Sequence, residues 1–253
     1  MEHIVPVARK LWRMFLDALF PPLCAACGIL LPRNPPHDAI CENCLAALAP
    51  RDGFCCPFCG ARLPPPLADV LSPCHPESLF VLAAAMHYAD PVPRALIRAL
   101  KYGRTKAALA PLSSVLLPYL ATALRGIPEI AADSRVIIPI PLHPRRLRER
   151  GFNQAALIAE ALAAVPPLDG AAVLQDALAR IRYTPTQTAE AGPKKRQENV
   201  VGCFVLRRPE SIRGKTVFLV DDVFTSGATM GEAAKILHAG GAKRIIGVVI
   251  AKA

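Results

Sequence analysis

Asp221 and Asp222 stand side by side at the end of the apolar run Val217-Phe218-Leu219-Val220, and Thr225-Ser226-Gly227-Ala228-Thr229 follows within a few residues. Adjacent carboxylates accept hydrogen bonds from vicinal hydroxyls, as an acidic residue does on a ribose in dinucleotide folds. A turn of hydroxyl, glycine and small residues that opens a helix presents unpaired backbone N–H groups, and those bind an anion. Glycine lets the backbone approach a phosphate closely. The combination is chemistry for a sugar phosphate. One alternative is an ordinary buried strand with an acidic cap on the next helix. Another is the acidic strand of a nucleotide hydrolase, which requires a GxxxxGK[ST] loop. The nearest candidate, Gly214-Lys215-Thr216, has Pro209 where the first glycine belongs, and a strand rather than a helix follows it.

The stretch Val217 to Thr229 resembles the signature of the type I phosphoribosyltransferases, the loop that binds phosphoribosyl pyrophosphate. The resemblance implies that Asp221 and Asp222 face the ribose hydroxyls. It implies that Thr225, Ser226, Gly227, Ala228 and Thr229 hold the 5′-phosphate. It also implies Mg²⁺ bridging pyrophosphate and ribose oxygens, since that ion favours phosphates with few carboxylates. By analogy with the loop after the first core strand of this fold class, Pro141 to His143 lie near the pyrophosphate, with Arg150, Asn153 and Gln154 lining the site.

Several elements must carry these residues. Leu79 to Tyr88, Val136 to Pro141, Leu174 to Ile181, Val200 to Leu206 and Ile245 to Ala251 read as short apolar strands. Helical patterns lie between them, so a mainly parallel sheet flanked by helices is expected. Pro91 to Tyr102 has helical spacing, with Leu96, Ile97 and Leu100 on one face. On that pattern Lys101 is expected to be a solvated face charge, the alternative being a group that approaches a phosphate. Arg145, Arg146, Arg148 and Arg150 cluster before Gly151, and Asn153-Gln154 opens a helix. The polar, proline-bearing stretch from Arg182 to Val200, with Lys194, Lys195 and Arg196, reads as a loop long enough to fold over a ligand.

Eight of the nine cysteines precede residue 75. Cys24-x-x-Cys27-Gly is followed after thirteen residues by Cys41-x-x-Cys44, which is spacing for tetrahedral zinc. Cys56-x-x-Cys59-Gly is followed after fourteen by Cys74, but Glu77 stands where the last cysteine belongs. His75 or Cys55 is a substitute ligand there, or the second set lacks metal; a further alternative is that pairs cross-brace between the two sets. The metal is structural, because so small a segment buries too little core to fold alone. The expected division is a helix plus double zinc ribbon over 1–78 and a phosphoribosyltransferase-like domain over 79–253.

The net charge of +10 and pI near 9.4 point to anionic partners: phosphates, nucleic acid or a membrane surface. With Trp12 the sole tryptophan, base stacking has little support. The first twenty residues are expected to pack on the zinc domain rather than touch a membrane. Ala107 to Leu124 carries no charge, yet Pro111 and Pro118 interrupt it and favour a buried helix over a transmembrane one. No export signal is apparent, so the expected location is the cytoplasm, where paired cysteines bind metal more often than each other.

Taken whole, the chain resembles the ComF family of competence-related proteins. The resemblance rests on the ribbon from Pro21 to Cys44, IPIPLHPRRLRERGFNQ at Ile138 to Gln154, RYTPTQT through RQENVVGCF at Arg182 to Phe204, and VDDVFTSGAT. It implies a double zinc ribbon, a phosphoribosyltransferase-like domain and a link to uptake or processing of single-stranded DNA through competence-machinery partners. Two classes of function remain: a Mg²⁺-dependent phosphoribosyltransferase of unknown acceptor, and a non-catalytic module binding phosphoribosyl groups or single-stranded DNA.

Overall fold

A computed structural model describes residues 21–32, 35, 37–63, 74–103, 105–125, 135–166, 168–184 and 200–253. The expectations for the first twenty residues and for Lys194 to Arg196 lie outside these described residues.

Five strands form one parallel sheet in the order β1-β7-β6-β2-β3. They are β1 (Val81–His87), β2 (Arg135–Pro139), β3 (Ala172–Val173), β6 (Thr216–Phe224) and β7 (Arg244–Lys252). Parallel strands are covered on both faces, and hence read as continuous apolar runs. In β1 and β7 every residue but the ends is buried. Helices α2 (Pro91–Tyr102), α3 (Leu109–Ala123) and α5 (Gln154–Ala163) pack on one face, where Leu96, Leu116 and Ile158 meet Phe218 and Val220. Helix α6 (Ala228–Ala239) covers the other, with Ala233 and Leu237 against Val217 and Leu219.

Two expected strands do not join this sheet. β4 (Leu178–Arg180) and β5 (Phe204–Leu206) pair with each other, antiparallel, as a separate ribbon beside α6. An apolar run reports burial, and this ribbon buries Leu178 and Phe204 without entering the main ladder. Helix α3 runs unbroken through Pro118, with Pro111 in its first turn, where a missing N–H costs nothing. No helix among the described residues is long and apolar enough to cross a membrane.

The cysteine-rich segment holds a short helix, α1 (Glu42–Ala46), and isolated bridges. It is stitched to the free edge of β1: Cys55 and Leu82 exchange backbone hydrogen bonds at 2.9 and 3.0 Å, and the Arg51 N–H donates to Ala85 at 2.7 Å. These bonds satisfy groups that an edge strand otherwise leaves open. Ile40, Phe54 and Cys56 share one apolar cluster with Val81 and Ile97.

Candidate functional site

The site is built where β6 and β2 end, outside the carboxyl edge of the sheet, where open α/β sheets bind ligands. β6 does not stop at Val220. It continues through Asp221 and Asp222 to Phe224, in register with β7 up to Phe224 and Lys252. The acidic pair is therefore part of the strand, not of the turn. Successive strand side chains point to opposite faces. Val220 belongs to the face covered by α2, and Leu219 to the face covered by β4 and α6.

Asp222, following that alternation, meets Lys101 at the last turn of α2. Lys101 Nζ stands 2.8 Å from Asp222 Oδ1, with side chains only 19% and 8% exposed. Lys101 is thus not a solvated charge, a correction to the helical-pattern expectation. Burial works against its ammonium, but the carboxylates of Asp222 and Asp221 outweigh that and raise its pKa. Asp221 Oδ1 accepts a hydrogen bond from the Asp222 N–H at 2.8 Å. Burial and the neighbouring Asp222 push the Asp221 carboxyl up to about 7, against the pull of Lys101 and that N–H.

The turn after β6 delivers the helix N-terminus. Gly227 caps α6 with φ +74° and offers no side-chain cap of its own. The leading N–H groups of α6 are therefore open to an anion. Thr225 to Thr229 enclose a pit of about 40 Å³ beside Asp221. The pit opens onto a cavity of about 430 Å³ that Asp221, Asp222, Thr225, Ser226, Ala228 and Thr229 share with Pro141, Arg150, Asn153 and Gln154. Gly227 lines the pit but not this larger cavity.

On the opposite wall, the expected residues hold structure as well as line space. Asn153 caps α5, its Oδ1 accepting from the Ala155 N–H, while its Nδ2 donates to Ile140 O at 3.0 Å. Gln154 is buried. Its Oε1 accepts from Arg150 at 3.0 Å and its Nε2 reaches Leu100 O at 3.4 Å, which ties α5 to the turn carrying Lys101. His143 is not brought to the cavity. It caps α4 (Pro144–Arg150), with Nδ1 accepting from the Arg145 N–H, and its ring meets Tyr183 edge-on. Arg145 is exposed, paired with Glu149 and lying over Tyr183.

Sequence reasoning missed Arg180. It lies on β4, lines the cavity and reaches Thr184 Oγ1, while the Arg146 guanidinium donates to Thr184 O at 2.8 Å. Burial, then Arg146, lowers the Arg180 pKa. Two guanidiniums thus converge on one residue across from the acidic pair. No local motif marks Arg180, because only the β4–β5 ribbon brings it there.

The cysteines form two clusters. The Sγ atoms of Cys24, Cys27, Cys41 and Cys44 lie within 4.8 Å of one another. The Cys27–Cys41 separation is 3.7 Å. A tetrahedral zinc with bonds near 2.3 Å demands sulfurs about 3.8 Å apart. The second cluster is Cys56, Cys59, Cys74 and His75, with Nδ1 3.4 Å from Cys56 Sγ and 3.3 Å from Cys74 Sγ. His75, not Glu77 or Cys55, completes it. Cys55 is buried and turned to the Leu82 carbonyl. In each cluster one thiol is acidified. Burial pushes Cys24 and Cys56 up, but backbone N–H groups of their knuckles outweigh it and bring both to about 6. Both donor sets fit a structural zinc ion.

The phosphoribosyl transferase domain family matches residues 149–253, and the double zinc ribbon domain family matches residues 15–75. The DNA utilization protein YhgH of Salmonella typhimurium is 31% identical over 230 residues, covering 89% of this chain and 94% of that protein. Competence protein ComFC of Bacillus subtilis is 27% identical over 211 residues, covering 80% and 79%. Competence protein F of Haemophilus influenzae is 34% identical over 110 residues, covering 43% and 46%. A double zinc ribbon stitched to a phosphoribosyl transferase domain, with the YhgH and ComFC relatives covering 89% and 80% of it, places this chain in the ComF family.

Proposed function

We propose that the cavity binds phosphoribosyl pyrophosphate and serves a phosphoribosyltransferase whose acceptor is unidentified. The observation that carries the reading is the uncapped N-terminus of α6 opening on the same cavity as Asp221 and Asp222. The 5′-phosphate takes the turn Thr225 to Thr229, and the ribose hydroxyls take the carboxylates. The pyrophosphate faces Pro141, Arg150 and the Arg146–Arg180 pair. Mg²⁺ bound with that pyrophosphate would supply further charge neutralisation beside these residues. The protein is assigned to the cytoplasm, where reduced thiols keep zinc.

Calorimetric titration of phosphoribosyl pyrophosphate with Mg²⁺ tests this. The wild type is expected to bind. Asp221→Asn with Asp222→Asn should weaken binding by about tenfold or more per lost charge-assisted hydrogen bond, at roughly 1.5–3 kcal/mol each. Unchanged binding in a folded double variant would refute the assignment.

A second reading has support of its own: relatives carry the names DNA utilization protein and competence protein. Arg145 and Arg148 are exposed on α4 beside the cavity. In this reading the chain binds single-stranded DNA without chemistry. Its affinity then falls steeply with salt as bound phosphates release counterions. Salt-insensitive binding, or none, rejects it. A pyrophosphate-release assay across bases and single-stranded DNA separates the two readings.

A further inference from the structure

The Lys101–Asp222 contact joins two groups that no local pattern connects. Lys101 closes α2, where the carbonyl end of the helix favours a cation. Its ammonium is drawn onto Asp222 at 2.8 Å, and Asp221 adds a second negative charge. The turn that carries Lys101 is fixed from behind: Gln154 donates to Leu100 O and is itself held by Arg150. The ammonium is therefore placed by the fold, rather than by a freely swinging side chain.

Two adjacent carboxylates at the mouth of a phosphate cavity otherwise invite a divalent cation, since Mg²⁺ is held by one or two carboxylates plus phosphates. An ammonium seated on one of them occupies that position and supplies part of the same charge. We propose that Lys101 is a positioning residue that stands in for a protein-bound cation at the acidic pair. It leaves the second oxygen of Asp222 to accept hydrogen bonds from sugar hydroxyls, and it restricts divalent metal to the ion that arrives on the ligand's own phosphates. The inference rests on the phosphoribosyl reading for its ligand, but its central claim concerns the acidic pair itself and is tested without a sugar.

The experiment measures Mn²⁺ binding by electron paramagnetic resonance on the full zinc-loaded chain at pH 8. The proteins are wild type, Lys101→Met, Lys101→Arg, and each of these with Asp222→Asn. The methionine keeps length and loses charge. Lys101→Met is expected to gain a Mn²⁺ site bound about tenfold or more tightly than anything in the wild type, given the charge removed next to the pair. Asp222→Asn should abolish the gain, and Lys101→Arg should show none. A folded Lys101→Met that binds Mn²⁺ no better than wild type would overturn the proposal. So would a wild-type Mn²⁺ site that disappears with Asp222→Asn. If Lys101→Met fails to fold, the wild type against its Asp222→Asn variant still decides, because a Mn²⁺ site at the pair in the presence of Lys101 refutes the role. A second arm titrates ribose 5-phosphate in chelator. Wild-type binding without metal, lost in Lys101→Met and retained in Lys101→Arg, supports the role at the sugar. Failure of the wild type to bind both ribose 5-phosphate and phosphoribosyl pyrophosphate would instead overturn the phosphoribosyl reading, while the Mn²⁺ result stands separately.

Discussion

A Cβ placed on Gly227 would lie 2.6 Å from Cζ of Phe224. The Phe224 ring sits beneath the turn that opens α6 and meets Phe80 edge-on, with centroids 6.3 Å apart. The glycine is required twice, by its φ of +74° and by the ring below it. Gly227→Ala is therefore expected to cost roughly 1–3 kcal/mol from backbone strain and contact. It should also weaken binding of phosphoribosyl pyrophosphate by displacing the turn. Adding Phe224→Leu should recover part of the stability, because it shrinks the ring and leaves φ unchanged. Thermal unfolding and calorimetry check both. Equal stability of Gly227→Ala and wild type would show that the turn relaxes freely.

Elemental analysis of protein purified without chelators should find two zinc ions per chain. His75→Ala should lose one, and Glu77→Ala none, because His75 completes the second donor set. Cys27→Ser should lose the first ion and destabilise the ribbon, since metal binding and folding are coupled there. One zinc in the wild type, unaffected by His75→Ala, would restrict metal to the Cys24 cluster.

Tyr119 links the two halves of the molecule. Its hydroxyl accepts from the Ala84 N–H at 3.0 Å and donates to Gly53 O at 2.6 Å. Tyr119→Phe leaves a buried N–H on β1 without its partner, at a cost of about 1–3 kcal/mol. Denaturant unfolding should show the midpoint falling with little change in slope. A midpoint within error of wild type would mean that water replaces the hydroxyl.

The Asp221 carboxyl, raised from 3.8 to about 7 in the folded protein, sets a pH dependence. Between those values the folded chain holds a proton that the unfolded chain has released, so stability falls as pH rises. The contribution is present below the unfolded pKa and is lost by the folded one. Between about pH 5.5 and 7 the fall should be roughly 2 kcal/mol, at about 1.36 kcal/mol per unit. Asp221→Asn should flatten it. The same slope in wild type and variant would place the titrating group elsewhere.

Much of the site was legible because its parts are contiguous. The turn Thr225 to Thr229 is one local stretch, and a strand followed by glycine and a helix start dictates its geometry. The extent of β6 past Val220 to Phe224 was not legible, because charge at Asp221 looks like a strand terminus when only polarity is read. The pairing of Leu178 with Leu206 was equally hidden, since an apolar strand does not reveal its neighbour. His75 stood next to Cys74 and was one of two candidates; only the packed ribbon brings its ring between Cys56 and Cys74 and turns Cys55 to Leu82.

The sequence by itself determined the parallel α/β class, the glycine turn that opens α6 and the paired cysteines, because each depends on residues a few positions apart whose types constrain the backbone. Only the tertiary structure decided which charges meet. Lys101 reaches Asp222 because α2 lies on the sheet face to which Asp222 points, and Arg180 joins Arg146 at Thr184 because a separate ribbon carries it there. Such partners are set by which face a strand presents and which helix covers that face, information that no local spacing along the chain contains.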